Sequence, residues 1–316
     1  MDLTNKSELL EYLKKNNLWA KKGLGQNFLV DKNALDQIVE AAELTSPQPS
    51  PSEGEGELVV EVGPGVGTLT LELIKQAGEV VAVEMDEKLA ELLKRQLCHS
   101  RSSRESTIVD PRLRGDDNDK LKIVCSDILS VNLNELVGDR KYKVVANIPY
   151  YITSKIIELF LTAENKPESI VLLVQKEVAE RICAKAGGMS VLSVSVQLYG
   201  KPEIVGIVPK ESFFPSPKVD SAILKISDIQ DPFDSLSLAQ DDTRNLSKSF
   251  FRCVHIGFAS RRKTLVNNLS AGYHIDKKKA SDIINAIGLS DSVRAQELSI
   301  EDWEKLAQKM NHEVGS

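Results

Sequence analysis

The segment with the most distinctive chemistry is Asn-Ile-Pro-Tyr-Tyr at residues 147–151, which follows an apolar run typical of a β-strand. Proline fixes its own φ and lacks a backbone donor, so carbonyl groups around Pro149 are left free to accept hydrogen bonds. The side-chain oxygen of Asn147 and one such carbonyl can together accept both hydrogens of an exocyclic amine. Tyr150 adds an aromatic face for a nucleobase. The pattern predicts a site for an amine-bearing base; the alternative is a strand-ending turn around a packed tyrosine.

A glycine-rich loop, Val-Gly-Pro-Gly-Val-Gly-Thr, lies between a predicted strand and a predicted helix. Gly63, Gly65 and Gly67 allow a tight turn and a close approach of the backbone to a ligand beside a helix N-terminus. About twenty residues further on, Glu84 ends the next predicted strand, where a carboxylate can accept hydrogen bonds from both ribose hydroxyls. Thr68 stands where a dinucleotide fingerprint has its third glycine. We therefore expect an adenosine ligand such as S-adenosylmethionine, ahead of NAD or a ligand-free structural turn.

A further carboxylate, Asp127, follows the predicted strand at 121–125. Because the carboxyl ends of parallel strands meet at one edge of a sheet, Asp127 is expected at the same crevice as Glu84. There it can accept a hydrogen bond from an amino group. The alternative is that Asp127 caps the short helix that begins with Ile-Leu-Ser-Val.

These residues are positioned by short apolar strands that alternate with helical patterns, which indicates βαβ units and a parallel sheet. The predicted strands are 58–62, 80–84, 121–125, 143–147, 170–174, 204–208 and 222–226. Helical spacing of apolar residues at 34–42 precedes the first strand, and the predicted helices among the early strands are 68–77, 87–97 and 154–161. The sequence thus predicts an α/β fold with its ligand crevice at the carboxyl ends of the strands.

Polar segments interrupt this alternation of strands and helices and divide the chain. A loop rich in proline and glycine at 46–57 and a charged stretch at 99–120 are interpreted as inserts. The first domain is predicted at 1–227 and a polar linker at 228–243. Residues 244–316 show only helical patterns, which predicts a small all-helical second domain.

Composition excludes several classes of protein. The 316 residues are 41% hydrophobic and 27% charged, as in ordinary globular proteins. The formal charge of −6 excludes a uniformly basic coat but not a local basic patch. The four cysteines form no CxxC pair and the four histidines are scattered, so we expect neither a structural zinc nor a disulfide framework. Without an apolar run long enough for a membrane span or a signal-peptide core, a soluble cytoplasmic protein is expected.

The chain resembles the ribosomal RNA adenine N6,N6-dimethyltransferase family, whose bacterial members modify small-subunit ribosomal RNA. The resemblance covers residues 20–309 of both predicted domains. It rests on Gly-Gln-Asn-Phe-Leu at 25–29, Glu-Val-Gly-Pro-Gly at 61–65, Val-Glu-Met-Asp at 83–86, Ser-Asp-Ile-Leu at 126–129, Asn-Ile-Pro-Tyr at 147–150, Gln-Lys-Glu-Val-Ala-Glu-Arg at 175–181, Phe-Pro-Ser-Pro-Lys-Val-Asp-Ser-Ala at 214–222, Ser-Arg-Arg-Lys-Thr-Leu-Val-Asn-Asn-Leu at 260–269 and Ala-Gln-Glu-Leu-Ser-Ile-Glu-Asp-Trp at 295–303. It implies a class I, Rossmann-like methyltransferase sheet with a helical C-terminal domain.

The resemblance also implies roles for individual residues. The methyl donor, S-adenosylmethionine, would contact Glu84 through its ribose and Asp127 through its adenine N6, and the other donor contacts would be Asn27, Leu29, Gly63, Gly65 and Asn147. The catalytic group would be Asn147, Pro149, Tyr150 and Phe213, with the target base extruded from its stack and held between Tyr150 and an aromatic ring. The sequence leaves open whether that ring is Phe213 or its neighbour Phe214.

The expected partner is small-subunit (16S) ribosomal RNA or the immature small ribosomal subunit. The resemblance implies two adjacent adenosines near the RNA 3′ end as targets and a role in subunit biogenesis. The enzyme is expected to be a monomer. Residues 244–316 carry more basic than acidic side chains, unlike the whole chain. Arg261, Arg262 and Lys263 are the predicted phosphate contacts, beside a second cluster at 277–279 and the lysines from Lys14 to Lys22, although such clusters are also typical of solvated faces.

Three alternatives remain. The first is the related large-subunit ribosomal RNA adenine methyltransferase that confers antibiotic resistance. The second is a non-catalytic nucleic-acid-binding descendant of the same fold, and the third is a nicotinamide oxidoreductase. Two departures from the family pattern also stand out: Gly-Gly-Met-Ser-Val-Leu-Ser-Val at 187–194 lacks the usual Tyr-Gly turn, and the insert at 99–120 lengthens the path to the third strand.

Overall fold

A computed structural model describes residues 1–44, 56–97, 120–233 and 240–314. The predicted inserts at 46–57 and 99–120 therefore lie outside the described residues, apart from their last one or two positions. The chain divides into two compact units. The first comprises Met1–Ala179 and Glu203–Ile229, and the second comprises Glu180–Pro202 and Gln230–Ser316.

The central element of the first unit is a seven-stranded sheet. The strands of the chain, β1 to β9, are Phe28–Leu29, Leu58–Val62, Glu79–Glu84, Leu121–Cys125, Tyr142–Asn147, Ser169–Gln175, Lys201–Val208, Phe213–Phe214 and Ser221–Ser227. The large sheet has the order β4-β3-β2-β5-β6-β9-β7, and β1 pairs with β8 in a separate two-stranded ribbon. All seven predicted strands are present, and their bounds differ from the prediction by at most three residues.

The sheet is mixed, which corrects the expectation of a parallel one. Strands β4, β3, β2, β5 and β6 pair in parallel, but β9 runs antiparallel to β6. Both β6 and β9 are buried along almost their whole length. A strand that is buried on both faces is apolar throughout, so its sequence carries no sign of its direction.

Helices cover the sheet. In and next to the first unit they are α1 to α7, namely Lys6–Lys15, Lys32–Ala41, Thr68–Gln76, Glu87–Leu97, Leu133–Val137, Thr153–Leu161 and Lys176–Ile182. The four predicted helices correspond to α2, α3, α4 and α6. Short polar side chains fix several helix starts: Asn5 accepts the backbone N–H of Ser7 at 2.9 Å, and Asp31 accepts that of Ala34 at 3.1 Å.

Two apolar clusters place the N-terminal region beside the glycine loop. The larger cluster joins central strands to α2 and α3 through residues such as Val59, Ile38 and Leu73. The smaller one joins α1 to the loop and α4, and contains Leu9 and Val66 among its buried members. The chain from α1 to β1 is therefore anchored on the side of the sheet where the predicted ligand loop lies.

In the second unit, the described residues after 240 form helices joined by turns and loops, with no strand among them. Its helices α8 to α12 are Val191–Gln197, Gln240–Gly257, Leu265–Tyr273, Lys277–Ala286 and Ile300–Val314. Trp303 is fully buried, and Phe258 stacks on its ring with 5.4 Å between centroids.

The observed division differs from the predicted boundaries at 227 and 243. Residues 180–202 group with the helical unit, where the backbone N–H groups of Gly187 and Met189 donate to the Gln296 carbonyl at 2.8 and 3.2 Å. Helix α9 begins at Gln240, inside the predicted linker. The units follow contacts between segments that are distant in sequence, which composition does not reveal.

Within the described residues, no helix has the length and apolar character needed to cross a membrane.

Candidate active site

One cavity lies at the carboxyl ends of β2, β3 and β5, where the strand order predicts a ligand crevice. The structure brings together there nine of the predicted site residues: Asn27, Leu29, Gly63, Gly65, Glu84, Asp127, Asn147, Pro149 and Tyr150. They come from five separate segments of the chain. Four of these segments lie at or just after the carboxyl ends of the parallel strands β2, β3, β4 and β5, which meet at one edge of the sheet, and the fifth, residues 27–29, belongs to the separate β1-β8 ribbon.

The glycine loop needs its glycines for backbone geometry and for space. Gly63, Gly65 and Gly67 all have positive φ, at 68°, 61° and 87°. A Cβ on Gly67 would lie 2.6 Å from Cδ2 of Leu93, so this glycine also permits the packing of α4. A Cβ on Gly63 would have only the Asn147 carbonyl oxygen within 4 Å, at 3.9 Å, so the backbone there faces open space in the cavity.

Glu84 is held at the end of β3 beside this loop. Its side chain is almost completely buried, and its two oxygens accept the backbone N–H groups of Gly65 at 3.0 Å and Asp86 at 2.8 Å. Burial raises the pKa of Glu84, and these hydrogen bonds act in the opposite direction. The carboxylate is thus fixed against the loop, in position to accept hydrogen bonds from hydroxyl groups of a ligand.

A second buried carboxyl group, Glu61, lines the cavity and was not among the predicted site residues. Its side chain is 1% exposed, and its Oε2 has no hydrogen-bond partner within the described residues. Burial raises the pKa of Glu61 to about 8, and the neighbouring charge of Glu84 adds to the effect. The available sequence signal was a charged residue inside the otherwise apolar strand β2. A buried carboxyl without a full set of partners is costly, so it marks a place where a cationic group can bind.

Asp127 lines the same cavity and also caps a short 3-10 turn at Ile128–Ser130. Its Oδ1 accepts the backbone N–H of Leu129 at 3.0 Å. A carboxylate has two oxygens with two lone pairs each, so this cap leaves acceptor capacity for a ligand. The two alternatives weighed from the sequence are therefore compatible.

Asn147 stands at the end of β5 with its side-chain amide oriented by a hydrogen bond. Its Nδ2 donates to the backbone carbonyl of Asn27 at 3.2 Å. The assignment of nitrogen and oxygen follows from this bond, because a carbonyl can only accept. Oδ1 is consequently the atom that remains to accept a hydrogen from an amine in the cavity.

The Pro149 carbonyl is less free than the sequence suggested. It accepts the backbone N–H of Ile152 at 3.2 Å, as the first bond of a 3-10 turn at Tyr150–Ile152. A carbonyl oxygen has two lone pairs, so one remains for a second donor. Tyr150 lines the cavity, and its hydroxyl bonds with Oγ of Ser221 at 2.7 Å, which ties the ring to β9.

Neither phenylalanine considered for base stacking is on the cavity lining. Phe213 is 2% exposed, belongs to the larger core cluster, and pairs with Leu29 across β8 and β1. Phe214 is only partly buried, and the ammonium group of Lys6 lies 5.6 Å from its ring centroid. The structure thus separates Phe213 from the other predicted catalytic residues: its ring supports the chain behind Leu29.

The predicted RNA-contacting residues lie in the second unit, on the connection between α9 and α10. Arg261, Arg262 and Lys263 are all exposed. The buried Asn268 shapes this connection by donating from Nδ2 to the carbonyls of Gly257 and Ser260, at 2.6 and 3.1 Å. The three basic residues therefore lie on a turn whose backbone is held by hydrogen bonds from Asn268.

Residues 17–312 match the sequence model of the family described as Ribosomal RNA adenine dimethylase. The chain belongs to this family. A relative from Dehalococcoides mccartyi (strain CBDB1) is 41% identical over 290 residues, which cover 92% of this chain and 88% of the relative. A relative from Clostridioides difficile (strain 630) is 35% identical over 320 residues, which cover 99% of each chain. Both relatives are named Ribosomal RNA small subunit methyltransferase A.

Solved structures agree with this assignment. A dimethyladenosine transferase from Plasmodium falciparum is similar with a TM-score of 0.68 and 25% identity, over 90% of this chain and 98% of that chain. The 23S rRNA methyltransferase ErmE has a TM-score of 0.63 and 24% identity, over 90% and 99%, and shows the shared fold alone. The predicted Rossmann-like methyltransferase fold with a helical C-terminal region is confirmed.

As a member of the dimethylase family, the chain is an S-adenosylmethionine-dependent ribosomal RNA adenine methyltransferase, and the cavity suits that donor. Gly63 offers backbone without a Cβ, and Glu84 offers a carboxylate for ribose hydroxyls. Glu61 offers a buried carboxyl oxygen without a partner among the described residues, which suits the positive charge of the donor. Among the same residues, no group of three or more histidine, cysteine, aspartate or glutamate side chains is placed to hold a metal ion.

Proposed function

We propose that this chain dimethylates N6 of two adjacent adenosines near the 3′ end of small-subunit (16S) ribosomal RNA, as a step in small-subunit biogenesis. The names of relatives that are 35–41% identical over nearly the whole chain support the choice of the small subunit. The observation that carries the proposal is the orientation of the Asn147 amide, which lines the same cavity as Glu84. Its Nδ2 donates to the Asn27 carbonyl, so its Oδ1 remains to accept a hydrogen bond from an amine.

The chemistry requires a nucleophile to be prepared rather than a strong base. The N6 lone pair of adenine is delocalised into the ring and is a poor nucleophile. Oδ1 of Asn147 and the remaining lone pair of the Pro149 carbonyl accept the two amine hydrogens, so that the nitrogen becomes tetrahedral and its lone pair points away from the ring. The donor, when bound, supplies an electrophilic methyl group, whose bond to sulfur breaks as its bond to N6 forms. The methylated nitrogen then releases one proton to solvent. The enzyme then contributes alignment and exclusion of water.

Binding of the target base uses aromatic surface. The base is extruded from its stack, and Tyr150 covers one face. For the other face the candidates stay Phe213 and Phe214. The burial of Phe213 means that its ring reaches a base only if the chain around Leu29 shifts, whereas Phe214 already exposes part of its ring.

In the same proposal, Arg261, Arg262 and Lys263 contact RNA phosphates, and the enzyme acts as a cytoplasmic monomer on the immature small subunit. Replacing all three basic residues by alanine is expected to weaken RNA binding and to lower the slope of log K against log salt by about two to three. Donor binding, measured by calorimetry, should not change. An unchanged salt slope would remove these residues from the RNA interface.

The proposed substrate is tested by supplying labelled S-adenosylmethionine with undermethylated small subunits and, separately, with large subunits. Label in small-subunit RNA alone is the expected result. Label in large-subunit RNA would instead support the resistance-type alternative. Donor binding without transfer to either subunit would contradict the proposed substrate, and absence of donor binding would contradict the enzyme itself.

A further inference from the structure

A buried aspartate links the N-terminal arm, defined here as residues 18–29, to the ribose-binding end of β3. The Asp86 side chain is 3% exposed, and its Oδ2 lies 2.7 Å from the ammonium nitrogen of Lys21. Gln26 donates from Nε2 to the same oxygen at 3.3 Å. The backbone N–H of Asp86 donates to Oε1 of Glu84 at 2.8 Å. A single residue therefore connects the arm to Glu84, the carboxylate that we propose for the donor ribose.

The arm is also part of the cavity wall. Residues 24–29 line the cavity, and Lys21 and Gln26 brace each other, because the Lys21 backbone N–H donates to Oε1 of Gln26 at 2.8 Å. Further along, the Asn27 carbonyl is held by Asn147. The arm thus has one polar anchor on the ribose side of the cavity and another on the target-base side.

We propose that Lys21, Gln26 and Asp86 form a latch that holds the N-terminal arm over the donor and so sets how tightly and how long the donor stays bound. They are positioning residues, since they act through the arm and through Glu84. The proposal rests on the donor binding beside Glu84. Dimethylating two adenosines consumes four donor molecules, so the donor site must open and close repeatedly within one round of modification.

The charges around Asp86 agree with a latch. Asp86 and Glu84 are carboxylates two positions apart, and the charge of Asp86 raises the pKa of Glu84. Burial disfavours the charged form of Asp86, yet the hydrogen bonds from Lys21 and Gln26 hold its pKa below the ordinary value. Without the Lys21 ammonium group, the arm would lose its attraction to this end of the sheet.

Asp86 also stabilises the start of α4, through the carboxylate oxygen that Lys21 and Gln26 do not contact. Its Oδ1 accepts the backbone N–H of Lys88 at 3.2 Å, in the first turn of α4, whereas Lys21 and Gln26 both use Oδ2. Replacing Lys21 therefore breaks the latch and leaves the helix start intact. Lys15, an exposed residue of α1, provides a matched control for the loss of one positive charge from the N-terminal region.

The test measures the Kd and the dissociation rate of S-adenosylmethionine for the full-length protein and its Lys21→Ala, Lys21→Arg and Lys15→Ala variants. Lys21→Ala is expected to raise Kd about threefold to tenfold, mainly through faster dissociation, as for a partly buried charged hydrogen bond. Lys21→Arg should restore Kd to within about twofold, and Lys15→Ala should leave it unchanged. The difference between Lys21→Ala and the unsubstituted protein should shrink at high salt, because Lys21 is half exposed.

A double-mutant cycle isolates the contact. In an Asp86→Asn background, Lys21→Ala should have almost no further effect on Kd, because the charged partner is already gone. Three results would each overturn the latch while leaving the proposed function intact. They are an equal rise in the donor Kd of Lys15→Ala, a donor Kd of Lys21→Ala within twofold of the unsubstituted value, and effects of Lys21→Ala and Asp86→Asn on Kd that are fully additive. Failure of the unsubstituted protein to bind the donor would overturn both.

Discussion

Replacing Glu61 by glutamine is expected to stabilise the donor-free protein and to weaken its binding of the donor. Glu61 is 1% exposed, its Oε2 has no partner among the described residues, and a second carboxylate, Glu84, lies close enough to disfavour its charge. Glutamine has nearly the same shape without a titratable charge. The substitution therefore removes the cost of burying a carboxylate and also removes a negative charge in the cavity wall that would attract the cationic donor.

The size and sign of the stability change follow from the pKa. Burial raises the pKa of Glu61 from 4.5 to about 8. At about 1.4 kcal/mol per pKa unit, full ionisation in the folded state costs about 5 kcal/mol relative to the unfolded chain. Because the folded pKa is raised, the contribution of this group to stability is greatest below pH 4.5 and is lost as the pH rises towards 8. Water entering the open cavity reduces the cost, so we expect Glu61→Gln to gain about 2 kcal/mol at pH 8.

Urea unfolding of both proteins without donor, at pH 5 and pH 8, measures this gain. Near pH 5 the glutamate is mostly protonated in the folded state, so the two proteins should be nearly equally stable there. Calorimetry with S-adenosylmethionine should show weaker binding by the variant at both pH values. An equal gain at the two pH values, or no gain at pH 8, would refute the account of Glu61 as a buried carboxyl held at a cost for the donor.

Two further predictions compare neighbouring or similar residues. Gly67→Ala should cost about 3 kcal/mol in urea unfolding, because the new Cβ combines a φ of 87° with a 2.6 Å contact to Leu93. Gly288→Ala, at a similar φ of 84° with no atom within 4 Å of the new Cβ, should cost about 1 kcal/mol, and equal losses would contradict this prediction. Phe213→Ala should lower the free energy of unfolding by about 3 to 5 kcal/mol, because the ring is buried. Phe214→Ala should lower it by less than half of that amount while raising KM for RNA. A Phe213→Ala protein of unchanged stability would show that the Phe213 ring is free to stack on a base.

Much of the fold could be predicted from the sequence because the central strands are buried on both faces. Strands such as Leu58–Val62 and Glu79–Glu84 are short, mainly apolar runs, and their predicted limits match the structure to within one residue. The direction of Ser221–Ser227 could not be predicted, because an apolar run has the same composition in either direction. The grouping of residues 180–202 with the helical unit depends on pairings such as that of Gly187 with Gln296, which no local pattern encodes.

The site was predictable where its chemistry lies in compact motifs. The glycine loop, Glu84 and Asn147 follow predicted strands directly, so strand order alone brings them to one cavity. Glu61 was missed because a single glutamate inside a hydrophobic strand has no neighbours in sequence that reveal its isolation. The pairing of Lys21 with Asp86 joins residues far apart in the chain, so only the folded structure reveals it. The roles of the individual site residues stay predictions until variants are measured.

The central claim is that the oriented amide of Asn147 prepares adenine N6 for methyl transfer. Its most direct test is a time course of methyl transfer to undermethylated small subunits, with enzyme in excess over subunits and saturating S-adenosylmethionine, comparing the unsubstituted protein with Asn147→Ala and analysing the nucleosides formed. We predict N6,N6-dimethyladenosine at two adjacent positions with the unsubstituted protein. With Asn147→Ala we predict a rate at least about a hundredfold lower while the donor still binds, as for loss of one aligned hydrogen-bonding group in a transition state. A variant that binds the donor and still dimethylates at an undiminished rate would contradict the claim.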